Sequence, residues 1–231
     1  DEGAFLLNTA TLQTLLSEEP AYRREVERRF AGGEYDPVTT CVNWLFHTFT
    51  ADLPPGFRAD AGPTLRRLIE TPGVEAVVLT NSRGDKVRRS LTGLGIPVLP
   101  ERETWNPGGY ARILGDVRQY DMASSGSPGL PEIFWADPRR PIDLRRPVYL
   151  SALQRERGTA GQLWVVADGL SLAGSLPLAL GIPFFLVKAT YTPRWVMESV
   201  ARAPNGVVLE ELGQIIQHLS QWMNAGRMET R

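Results

Sequence analysis

Three short apolar runs constrain this chain more than any other feature: "VEAVVLTN" at 74–81, "QLWVVAD" at 162–168 and "PFFLVKA" at 183–189. Each has strand length and lacks the polar alternation of a half-exposed strand, so each reads as a strand buried on both faces of a parallel sheet. The segments between them have helical character. "SRGDKVRRSLTGLG" ends at Gly95 and "GLSLAGSLPLALG" ends at Gly181, which places glycine where a helix closes in the left-handed conformation. The order β-α-β-α-β follows, and with it a doubly wound, Rossmann-like α/β sheet that binds ligands at the carboxyl ends of its strands.

A further apolar run near the start, "AFLLN", is followed by the small polar turn Asn8-Thr9-Ala10-Thr11 and then by a helix-like pattern. This is expected to be another strand delivering a loop to the same edge. Three loops should then converge, at Asn8, at Thr80 to Ser82, and at Asp168 with Gly169. Residues 18–56 interrupt the core with "PAYRREVERRFAGG" and "DPVTTCVNWLFHTFTADLPP". In the second, Val38, Cys41, Val42, Leu45, Phe46 and Phe49 recur at spacings of three and four, the stripe of an amphipathic helix. A small helical cap is expected over 18–56, with the core assembled from 1–17 and 57–231. The joint at Pro54-Pro55 leads into the helix "AGPTLRRLIETPG".

Composition narrows the function classes. Twenty-five basic against twenty-six acidic residues leave a net charge of −1, so the overall balance points to neither nucleic acid nor an anionic membrane. The single cysteine, Cys41, excludes an internal disulfide framework and a multi-cysteine zinc site, and suits a reducing compartment. No apolar segment approaches the roughly 20 residues of a membrane-spanning helix, and Asp1-Glu2-Gly3 do not read as a signal peptide. The cytoplasm is the expected compartment.

The layout resembles the haloacid dehalogenase superfamily, most of whose members are phosphatases with a Rossmann-like core and a cap inserted after the first strand. "VVLTNSRGDKVRRSLTGLGIPVL" is similar to that family's second motif, which carries a Thr or Ser, and "LWVVADGLSLAGSLPLALGIPFFLV" to its fourth, acidic motif. "LRRPVYLSALQRERG" looks like the helix before the fourth motif, and "TPRWVMESVARAPNGVVLEEL" like the C-terminal strand and helix.

The resemblance implies a phosphohydrolase. It implies a nucleophilic Asp, an acid/base Asp two residues later, a phosphate-binding Lys and magnesium held by carboxylates. Here the first two positions are Asn8 and Ala10, and the second acid of the fourth motif falls on Leu172 or Ala173. An amide is a poor nucleophile and a methyl group carries no proton. Asp168 is the one carboxylate kept near the implied metal, too little fixed charge for a hard cation. The lysine position falls on Gln119, if "ILGDVRQYDM" is the strand that bears it, or alternatively on Arg145 or Arg146.

A catalytically degenerate member is therefore expected, a pseudophosphatase with no metal and no cofactor. It would act by binding a phosphorylated small molecule or other anion, or by protein contact. Thr80, Asn81, Ser82 and Asp168 are the candidate ligand residues. The alternatives are an active phosphohydrolase that recruits a cap acid such as Asp36 or Asp52, and a structural subunit of an assembly.

Each candidate also has a plainer reading. Thr80-Asn81-Ser82 can end a strand and cap the next helix, and Asp168 can serve its own turn as an acceptor. His47 and His218 sit on separate helical stretches and read as core or surface residues. The region from Pro97 to Pro147 reads as irregular, "DPRRPIDLRRP" within it as a solvated arginine-rich loop and "ASSGSPGLP" as a mobile one. Trp135 beside the arginines slightly raises the option of a partner surface.

Overall fold

The computed structural model describes residues 11–33, 35–50, 56–82, 84–100, 103, 106–115, 117, 119 and 122–229. The expected strand at Ala4 to Leu7, the positions Asn8 and Ala10, and Asp52 lie outside these residues. The chain divides into two compact units, Asp1–Gly56 and Phe57–Arg231, so the helix at 11–17 belongs to the first.

The first unit is helical. Helix α1 covers 11–18, followed by α2 at Pro20–Arg29 and α3 at Pro37–Thr50. Pro20 and Pro37 occupy first-turn positions, where a missing N–H costs nothing. Asp36 caps α3, its Oδ1 accepting from the amides of Val38 at 3.0 Å and Thr39 at 3.1 Å. Leu16, Cys41 and Val42 are buried, and Phe30 packs on Trp44 with ring centroids 5.9 Å apart. Burial pushes the Cys41 thiol up, so it behaves as a small apolar side chain.

The second unit mixes helices and strands. Helix α4, Ala61–Glu70, leads to β1, Ala76–Leu79, and then to α5, Gly84–Gly93. Strand β2, Ala111–Leu114, pairs parallel to β1. A hairpin follows, β3 at Ile133–Asp137 against β4 at Arg140–Asp143. Helix α6, Pro147–Thr159, leads to β5, Val165–Ala167. A π turn at Leu170–Gly174 continues directly into α7, Ser175–Ala179. Then come β6 at Phe184–Val187, α8 at Arg194–Arg202, β7 at Gly206–Leu209, and α9 at Ile215–Glu229 after a single tight turn of helix. Strands β5, β6 and β7 form a parallel sheet in that order.

Strand β6 is the centre of the core. Phe184 and Leu186 join Leu170, Leu178, Val196 and Val200 in one cluster, while Phe185 and Val187 join Leu209 and Ile215 in another. Alternate side chains of one strand thus feed opposite faces, which is why its sequence is apolar throughout. Gly174 brings the π turn onto this strand, since a Cβ there would lie 2.4 Å from the Phe184 ring.

Several expectations need correction. The described strands form two parallel sheets and a separate hairpin. Among the described residues one edge of β1 and one edge of β5 have no ladder partner. The region from Pro97 to Pro147 is not irregular throughout, since it holds β2, β3 and β4. "DPRRPIDLRRP" is no solvated loop but the turn and second strand of the hairpin. Its prolines disguise the alternation, yet Ala136 and Ile142 are buried while Trp135 faces out. The strand proposed over "ILGDVRQYDM" stops at Leu114. At the chain's end the order is helix α8 and then strand β7, with α9 after them.

Asp60 ties the two ends of this unit together. Its Oδ2 accepts from the amide of Leu212 at 2.7 Å and, at a longer 3.4 Å, from that of Gly213, while Arg58 pairs with Oδ1 at 3.2 Å. Burial pushes the carboxyl up, but these hydrogen bonds together outweigh it and hold the group below its ordinary value of 3.8. A depressed folded-state value means that the stabilisation is complete above the unfolded value and is lost as pH falls through the folded one. Asp60→Asn is therefore expected to lower the urea midpoint at pH 7 and to lose less stability on acidification to pH 3 than the unsubstituted chain. A parallel loss in both proteins would show that the carboxylate carries no such linkage.

Candidate functional site

The loop after β1 is built by continuing the β1–β2 ladder beyond both strands. The amide of Thr80 donates to Leu114 O at 3.0 Å, and the amide of Val117 returns to Thr80 O at 3.0 Å. Glycine is required on the facing segment, because a Cβ on Gly115 would lie 2.6 Å from the Gly84 nitrogen. Within the loop the Ser82 amide donates to Thr80 Oγ1 at 3.0 Å. The Ser82 side chain is exposed.

Asn81 and Gln119 hold one another. Asn81 Nδ2 donates to Gln119 Oε1 at 3.1 Å, and the Gln119 amide donates back to Asn81 Oδ1 at 2.9 Å. Gln119 lies in the turn after β2 rather than on a strand, and it is buried. The Tyr149 hydroxyl, on α6, donates to Ala173 O at 2.7 Å. Burial pushes Tyr149 far above its ordinary value, only partly offset by Gln119 and the Arg146 charge, so the phenol is a fixed proton donor at neutral pH. Arg146, buried just before α6, donates from Nη1 to Leu172 O at 2.8 Å.

Asn81 and Gln119 thus satisfy one another beside the Thr80 loop, while Tyr149 and Arg146 hold the carbonyls of the π turn that follows Asp168. Asp168 itself is exposed and accepts a hydrogen bond from the Tyr191 hydroxyl at 3.1 Å. Leu172 and Ala173, where the second acid of the fourth motif was expected, offer backbone carbonyls, and both are taken up by Arg146 and Tyr149.

Other candidates have structural employment. Arg145 pairs with Asp143 at 2.6 Å and donates to Ser124 O at 3.2 Å. That guanidinium holds the Asp143 carboxyl below the usual range. Asp36, weighed as a substitute acid, caps α3, and hydrogen bonding to Thr39 holds it below its usual range. The His218 ring packs edge-on against Phe185 at 5.3 Å.

Of the positions where the resemblance places magnesium ligands, the described residues supply one side-chain carboxylate, Asp168. Asp168 stands without a second carboxylate at 172 or 173, and the adjoining buried group is a guanidinium. Among the described residues no group of three His, Cys, Asp or Glu side chains is placed to hold a metal. An open cleft lies elsewhere in this unit, lined by Phe57, Arg58, Pro63, Arg66, Arg67 and Leu94. None of these was singled out in the sequence.

Sequence reasoning also missed Tyr149 and Tyr191. The first was legible in principle, since Tyr149, Ala152, Leu153 and Glu156 follow helical spacing and all are buried, and a buried phenol needs a hydrogen-bond partner. Nothing in the sequence joins Tyr191 to Asp168.

No protein-family model and no curated protein sequence matches the chain. Among solved structures, the 2-haloacid dehalogenase from Pseudomonas syringae is similar over 94% of this chain and 80% of its own, at 18% identity and a TM-score of 0.44.

Removing the Tyr149 hydroxyl leaves Ala173 O without its donor. Tyr149→Phe is expected to cost about 1–3 kcal/mol in urea denaturation, more than the loss of an exposed hydroxyl. A cost near zero would show that this hydrogen bond is not formed in solution.

Proposed function

We propose that this chain is a haloacid dehalogenase-like protein that has lost its catalytic set and works by binding, a pseudophosphatase. The reading rests on the order of the two best-matching motifs and on the parallel strands that carry them. The strand expected at Ala4 to Leu7 would belong to the same core, with 18–56 as its cap and the cytoplasm as its compartment.

The observation that carries the loss of catalysis is the use made of Leu172 and Ala173. Where the mechanism needs a second carboxylate, the chain offers two carbonyls already engaged by Arg146 and Tyr149. Asn8 lacks the charge of a nucleophile and Ala10 lacks a proton to give. Catalytic groups act as a unit, so the loss of several leaves little for the others to contribute.

The unmodified protein is expected to release no phosphate from an aryl phosphate, with or without magnesium, above the buffer rate. Calorimetric titration with magnesium should give no saturable heat. Magnesium-dependent turnover abolished by Asp168→Ala would overturn this reading in favour of an active phosphohydrolase.

An anion is one occupant of such a site, and the half-buried hydroxyl of Thr80 beside the exposed Ser82 favours it. Inorganic phosphate at millimolar concentration is expected to raise the thermal midpoint, and Thr80→Val to abolish the rise. An unchanged midpoint in the unmodified protein would leave protein contact as the mode of binding.

A further inference from the structure

We draw no further inference here: the strongest candidate, the open cleft along α4 lined by Phe57, Arg58, Arg66, Arg67, Glu70 and Leu94, is almost balanced in charge, with Asp60 paired to Arg58 at 3.2 Å and Glu70 on the same wall as Arg66 and Arg67, and nothing in the structure shows what covers it.

Discussion

The burial of β6 on both faces is the constraint on which the second unit depends. Phe184 and Leu186 can leave water only if the π turn, α7 and α8 close over one side, and Phe185 and Val187 only if Leu209 and α9 close over the other. Fully burying each such side chain contributes roughly 1.5–3 kcal/mol, before the entropy of ordering the chain is counted. The strand therefore fixes more than its own position. It requires Gly174, because a side chain there would displace the Phe184 ring, and it thereby fixes the course of the chain just after Asp168.

That course decides the chemistry of the site. A π turn closes its hydrogen bonds one residue later than an α-helix does, and such turns recur where a helix must yield to a local demand. Here the demand comes from two buried groups, Arg146 and the Tyr149 hydroxyl, each of which needs an acceptor. The carbonyls of Leu172 and Ala173 satisfy them. In the loop after β1, Asn81 and Gln119 satisfy one another in the same way. Buried polar groups matched like this stabilise and specify one arrangement.

What the sequence made legible follows from the range of the interactions involved. Strands β1, β5 and β6, the helix ends at Gly95 and Gly181 and the helical character of 18–56 are governed by local apolar patterning and backbone preference, and these are written in consecutive residues. Both glycines have positive φ, at +68° and +70°. The hairpin was missed because Pro138 and Pro141 read as breakers, while the alternation of Phe134, Ala136 and Ile142 is split across a turn and a bulge. Gln119 was singled out as a site residue for its supposed place on a strand. It lies in a turn instead, where its backbone amide and side chain are held by Asn81. Pairings such as Tyr149 with Ala173, or Tyr191 with Asp168, join residues more than twenty positions apart, and no local pattern encodes them.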